Sequence, residues 1–240
     1  MRRAGKITAA ARAMAGKMVT AGVTTREIDR AVKSFIESQG AVPTFLGYNG
    51  YPASVCISVN EELIHGIPGK RVLRDGDVVS IDVGATKDGF VGDCAATFIV
   101  GNGTEAARKL VEVTRQSFFE GIKYAREGYR VSDISHAVQQ FVEANGFSVC
   151  REYVGHGVGA KMHEEPEVPN YGPAGHGPRL VRGMTIAVEP MVNMGAAAIR
   201  VLDDGWTVVT QDGKPAAHYE NTILITDGDP EILTVSEEYL

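Results

Sequence analysis

The sequence predicts an α+β fold in which two similar halves pair their strands into one curved antiparallel sheet, with helices on the outer face. Three observations carry this. Residues 74–100, RDGDVVSIDVGATKDGFVGDCAATFIV, set two apolar runs on either side of Lys87-Asp88-Gly89, the signature of a β-hairpin. Shifted by 106, AGVTTREIDRAVKSFIESQGA (21–41) lies on EGYRVSDISHAVQQFVEANGF (127–147), sharing Gly22/Gly128, Ile28/Ile134, Ala31/Ala137, Val32/Val138, Phe35/Phe141, Glu37/Glu143 and Gly40/Gly146. Shifted by 107, DGDVVSID (75–82) lies on RGMTIAVE (182–189), so Asp82 has Glu189 as its counterpart. Each half then reads helix, helix, β-hairpin. The chain is expected to form a single domain of two pseudo-repeats, about 1–103 and 104–240.

In chain order, Ile7, Ala10, Ala11, Met14 and Met18 recur at helical spacing over residues 3–18, and Ala21-Gly22 ends that helix. Thr24-Thr25-Arg26-Glu27 fits a capping box, opening a second helix that buries Ile28, Ala31, Val32, Phe35 and Ile36 and stops at Gly40. Residues 42–54 read as an aromatic, glycine-bearing loop, 56–60 as a strand and His65-Gly66-Ile67-Pro68-Gly69 as a turn before the hairpin. From Thr104, the positions Leu110, Val113, Thr114, Ser117, Phe118, Gly121, Ile122 and Ala125 make one helical face, with a break at Gly128. A fourth helix spans 132–145. A His-Gly run and a proline- and glycine-rich loop (166–178) precede strands at 184–190, 197–202, 206–210 and 218–226.

Composition excludes several classes. The chain has 240 residues, 44% of them apolar, yet no stretch approaches 18 uninterrupted apolar positions, so no membrane span is expected. The basic start, MRRAGKITAAARAMAG, lacks the apolar run of a signal peptide. Cys56, Cys94 and Cys150 are odd in number and widely spaced, which suits a reducing cytoplasm. With 24 basic and 30 acidic residues the net charge is −6, and no Lys/Arg block marks a specific nucleic-acid footprint.

The chemistry starts from the hairpin. Asp82 and Asp93 each occupy a strand position that favours an apolar residue, and folding back at 87–89 brings them within about one ladder step, where facing Cβ atoms lie roughly 5 Å apart. Two ionised carboxylates so close in a half-buried sheet repel, and either share a proton or bind a cation. The alternative places one aspartate on an exposed edge and the other in a turn. Glu189, in TIAVEPMVN, and Glu220, in AHYENTILIT, are two more acids in strand contexts. His156, in Gly155-His156-Gly157-Val158-Gly159, has small neighbours that leave its ring accessible, and reads either as a ligand or as a turn residue. Four carboxylates and one imidazole form an oxygen-rich set suited to two divalent cations of the Mn/Fe/Co kind, whose charge they cancel. His65 and His163 sit in loops at the mouth of this cleft, where each could hydrogen-bond a peptide group.

In order and spacing, CISVNE…HGIP, the Asp82/Asp93 hairpin, GHGVG…HEEP, TIAVEPMVN and YENTILIT resemble the motifs of type I methionine aminopeptidases, over nearly all of residues 3–235. The resemblance implies the pita-bread fold and the excision of N-terminal methionine from nascent polypeptides when the next residue is small. It implies two divalent cations (Co, Mn or Fe, with Zn and Ni as further candidates). Asp82 would hold one cation and help anchor the substrate amine, Asp93 and Glu220 would bridge both, and His156 and Glu189 would complete the other. Glu189 would also be the acid/base partner of the attacking water, with His65 on the scissile amide and His163 on the substrate carbonyl. The methionine pocket would be Phe45, Tyr48, Tyr51, Cys56, Met162 and Trp206, a soft apolar set apt for a thioether.

Met162 stands where an aromatic residue is familiar, so a looser pocket wall is expected. The chain starts inside the family's usual first helix region, and it shows no N-terminal zinc-binding extension and no large insertion before the last strands. These features favour the short bacterial-type form. A cytoplasmic monomer is expected, with transient ribosome association compatible with a nascent-chain substrate. The rival readings are an X-Pro aminopeptidase or prolidase, which shares the five ligands but carries a further N-terminal domain, and a non-catalytic binding module, which would have lost ligands.

Overall fold

The computed structural model describes residues 1–235. The first half contains α1 (Arg2–Lys17), α2 (Thr25–Ser38), β1 (Val42–Pro43), β2 (Val55–Val59), β3 (Glu62–Ile64), β4 (Val78–Lys87) and β5 (Phe90–Ile99). The second contains α3 (Glu105–Ile122), α4 (Val131–Ala144), β6 (Ser148–Val149), β7 (Gly155–Gly157), β8 (Glu164–Val168), β9 (Thr185–Val188), β10 (Met191–Asn193), β11 (Ile199–Val201), β12 (Val208–Thr210), β13 (Ala216–His218), β14 (Asn221–Leu224) and β15 (Glu231–Ile232).

The start of α2 follows from its capping box. Thr24 Oγ1 accepts from the Glu27 amide at 3.3 Å, and the Glu27 carboxylate accepts from the Thr24 amide at 2.7 Å. Its apolar stripe, Ile28, Val32 and Ile36, packs on Val55, Ile57, Val79, Ile81 and Val83 beneath it. In the second half, Leu110 and Phe118 of α3 and Ile134, Val138 and Val142 of α4 cover Val149, Val168, Ile186, Val188 and Ile223. Each helix pair thus shields its own strands. Helix α3 stops at Ile122, six residues before Gly128, with Ala125 buried beyond its end.

The β4–β5 hairpin is continuous from Val78↔Ile99 to Lys87↔Phe90, leaving Asp88 and Gly89 as a two-residue turn. Both have positive φ (52° and 81°), the geometry whose twist suits the flanking strands. The curved sheet is divided by hydrogen bonding into four segments: β1, β2 and β5 around β4; β13-β10-β6; β11-β12-β3; and β15-β14-β9-β7-β8. The divisions have local causes. The expected strand 184–190 ends at Val188 because Pro190 has no N–H to donate. The expected strand 218–226 is interrupted at Tyr219-Glu220, where the Tyr219 N–H still donates to Pro190 O but Glu220 turns its backbone hydrogen bonds to the first half.

That turn is the seam between the halves. Ala95 and Glu220 exchange both backbone hydrogen bonds (3.2 and 2.9 Å), the Thr222 hydroxyl bonds both backbone groups of Asp93, and the Thr97 hydroxyl does the same for His218. Behind the seam lies Arg12 of α1, only 3% exposed. Its Nη1 donates to Ala95 O, Glu220 O and Asn221 Oδ1 and its Nη2 to Thr234 O, at 2.9–3.2 Å. Hydrogen bonds from a charged donor contribute more than neutral ones, so Arg12→Ala is expected to destabilise the fold by about 2–3 kcal/mol in urea titration. An unchanged unfolding midpoint would show that the clamp is dispensable.

Candidate metal centre

Strand register explains how distant acids converge. Asp82 faces Ala95 and Asp93 faces Gly84, so the two aspartates are diagonal neighbours across the β4–β5 ladder. The second half repeats the arrangement: His156 faces Ala187 across the β7–β9 ladder, and Glu189 lies two residues farther on. The seam then sets Glu220 beside Asp93. His156 is not held accessible by its glycines, contrary to the expectation from sequence. It is 8% exposed, and an added Cβ at Gly155 or Gly157 would lie 2.4 Å from Ala187 O or 2.2 Å from Glu165 O. The glycines let β7 fit closely between β8 and β9.

The polar atoms of this cluster lack the partners that buried groups require. Asp82 Oδ1, Asp93 Oδ1, Glu220 Oε1 and His218 Nε2 are buried with no hydrogen-bond partner among the described residues. Burial pushes the Asp82 and Glu189 carboxyls up to about 7 and holds Asp93 and Glu220 well above the usual carboxylate range, with neighbouring carboxylates adding to the effect on the latter two. Burial also lowers His156 and His218, keeping them neutral and able to offer a lone pair. His156 Nδ1 is 2.9 Å from Gly157 O, which leaves Nε2 facing Asp93 Oδ2 at 3.6 Å and Glu189 Oε1 at 3.5 Å. Asp93, His156 and Glu220 each present one ligand atom, all within 4.8 Å of one another, and so do Asp82, His218 and Glu220. A cluster with four carboxylates, two imidazoles and unpartnered acceptors fits a pair of divalent cations.

A cavity of about 300 Å³ opens onto this cluster. All thirteen residues singled out in the sequence line it: the five expected ligands, His65, His163, and Phe45, Tyr48, Tyr51, Cys56, Met162 and Trp206. Tyr51 turns its hydroxyl to Val55 O and Gly66 O and its ring edge to Trp206, with ring centroids 5.1 Å apart. Cys56 faces Asp82 across the β2–β4 ladder. Burial raises its thiol well above the ordinary value, so it contributes soft apolar surface rather than a thiolate.

His163 is exposed at the cavity mouth with its ring 4.2 Å from that of His156, and Tyr48 Oη is hydrogen-bonded to its Nδ1 at 2.7 Å. His65 sits at φ 59°, edge-on to Tyr153 and Trp206, and burial lowers it to about 4, so it is neutral at neutral pH. Sequence reasoning missed Tyr153, Val154, Ile64 and Asn49 in the lining, and His218 in the cluster. For His218 a signal existed: it precedes Glu220 by two residues, the spacing that places two strand residues on one face.

Comparison with known proteins agrees with this geometry. The model of metallopeptidase family M24 matches residues 1–227. The methionine aminopeptidase of Clostridium perfringens is 55% identical over 235 residues, covering 98% of this chain and 94% of the relative. Methionine aminopeptidase 1 of Bacillus subtilis is 53% identical over 234 residues, with the same coverage of 98% and 94%. Among solved structures, the methionine aminopeptidase of Thermotoga maritima superposes with a TM-score of 0.97 at 46% identity, over 98% of this chain and 95% of that one. A prolidase from Pyrococcus furiosus shares the fold, with a TM-score of 0.79 at 23% identity over 98% of this chain and 63% of its own. The architecture is the pita-bread fold. By the extent of the family match and these identities, the chain belongs to metallopeptidase family M24.

Proposed function

We propose that the chain is a metal-dependent aminopeptidase that removes the N-terminal methionine of nascent polypeptides when the following residue is small. The observation that carries this is one cavity whose lining passes from the soft apolar set Phe45, Tyr51, Cys56, Met162 and Trp206 to a buried carboxylate–imidazole cluster. An unbranched thioether suits the first part, and a free amine beside a scissile amide suits the second.

Asp82, Asp93, His156, Glu189 and Glu220 would hold the two cations, which when bound supply Lewis acidity toward the amide carbonyl and activate water at neutral pH. Asp82 anchors the substrate ammonium. Glu189 takes a proton from the attacking water and returns it to the departing amine. His65 and His163 are neutral donors, the first toward the scissile amide and the second toward the substrate carbonyl. The Tyr48–His163 hydrogen bond holds the His163 ring with Nε2 free for substrate. The oxygen-rich donor set favours Co, Mn or Fe.

A single catalytic domain of two pseudo-repeats, about 1–103 and 104–240, is supported by α2 and α4. Both have 14 residues, starting at Thr25 and Val131, and both halves carry a diagonal ligand pair on neighbouring strands. A cytoplasmic setting is supported by three buried, unpaired thiols. A nascent-chain substrate is compatible with transient ribosome contact by a monomer. No helix among the described residues is long and apolar enough to cross a membrane.

Peptide specificity tests the proposal. Met-Ala-Ser and Met-Gly peptides should release free methionine with added Co²⁺ or Mn²⁺, and Met-Lys or Met-Leu peptides should hardly do so. A norleucine peptide should be cleaved more weakly, since a methylene-sized change in an apolar pocket is worth about 1–3 kcal/mol. Efficient hydrolysis of Leu-Pro beside inert Met-Ala would replace the methionine reading with a prolidase-type one.

A further inference from the structure

The expected five-ligand set gives one cation an imidazole, His156, and leaves the other with oxygen alone. His218 changes that balance. It is 2% exposed, and its Nε2 has no hydrogen-bond partner among the described residues. That nitrogen lies 3.6 Å from Glu189 Oε2 and 3.9 Å from Glu220 Oε2. Both distances are too long for a hydrogen bond. They suit two donors on one cation, because ligand atoms each about 2.0–2.2 Å from a common centre stand roughly 3–4 Å from one another.

His156 gives an internal standard. Its Nε2 keeps almost the same separations, 3.6 Å from Asp93 Oδ2 and 3.5 Å from Glu189 Oε1. The two oxygens of Glu189 therefore each face one imidazole. The local chain makes the placement firm: the Tyr219 ring packs on Phe118, while the residues on either side of it, His218 and Glu220, both turn into the cluster. The Thr97 hydroxyl holds both backbone groups of His218 at the seam (2.8 and 2.9 Å), so the ring is carried by a fixed backbone.

We propose that His218 is a metal ligand, its Nε2 completing with Asp82 and Glu220 the site of the second cation. Each cation then has one imidazole and a share of carboxylates, with Glu220 common to both triads. An imidazole on each cation shifts preference toward Co, Ni and Zn and away from Mn. The assignment rests on the two-cation reading above, and the test is arranged so that the two can fail separately.

The di-Co²⁺ protein is prepared by adding two equivalents to the metal-free chain, with stoichiometry read by calorimetry, and its hyperfine-shifted proton spectrum is recorded in H₂O and D₂O. A coordinated imidazole contributes one exchangeable ring N–H signal. The native protein should show two such signals. His218→Gln should lose one and keep the other, and His156→Ala should lose the one that His218→Gln keeps. In His218→Gln the second equivalent of Co²⁺ should also bind at least about 10-fold more weakly, with Mn²⁺ less affected. Two bound cations with a single exchangeable imidazole signal in the native protein would overturn the assignment of His218 alone, without recourse to any variant. A native protein that takes up no Co²⁺ would overturn the two-cation reading and the assignment together.

Discussion

Adding Mn²⁺ or Co²⁺ to the metal-free protein raises its melting temperature, and the rise is larger at pH 8 than at pH 6. Without cations, burial lifts Asp82 and Glu189 from 3.8 and 4.5 to about 7, and Asp93 and Glu220 also titrate well above the ordinary range. A carboxyl whose folded pKa is raised favours the fold fully below its unfolded value near 4, and that contribution is lost as pH rises through about 7. His156 and His218 act in the opposite sense: their lowered values favour the fold above about 6.5, and this contribution fades as pH falls. Above pH 7 the carboxylate repulsion dominates, and cations relieve it. At a free-metal level of 100 Kd each occupied site contributes about 2.7 kcal/mol. Asp93→Ala should abolish most of the metal-dependent rise, while its metal-free form melts at or above the native one because one of four crowded carboxylates is gone. A native melting curve at pH 8 that ignores both metals would remove the dinuclear site from consideration.

His163→Ala and His65→Ala should retain two cations per chain while kcat falls by about 10²–10³, the usual cost of removing a donor to a developing oxyanion. Glu189→Ala should lose metal affinity and activity together, because its carboxylate faces both imidazoles as well as the cavity. Elemental analysis beside single-turnover kinetics separates the cases. His163→Ala stripped of metal would move that residue from substrate contact to ligand. Since His65 is lowered to about 4, the rate profile of the native protein should show no loss from its protonation above about pH 5. Tyr48→Phe, which frees His163 Nδ1, should cost less than His163→Ala and act on kcat rather than on metal content.

Most of the fold and of the candidate site was legible in the chain because its signals are local. A two-residue Asp-Gly turn sets the register of β4 on β5, and that register alone places Asp82 diagonal to Asp93. Capping at Thr24 and the 3.6-residue stripes set the helices, and the repeated helix and strand point to Glu189. Tertiary structure decided the rest. The pairing of Ala95 with Glu220 closes a loop of more than a hundred residues, and no local pattern specifies such a partner. That seam turns Arg12 from a residue on an amphipathic helix into a buried clamp, and brings His218 to the carboxylates. The glycines around His156 read as a source of exposure, whereas the packing of β8 and β9 makes them a condition of burial. Periodicity and turn chemistry act over a few residues and select elements and faces. Which faces then share one low-dielectric pocket, and so which carboxylates and imidazoles must be neutralised together, is settled only when the two halves close on each other.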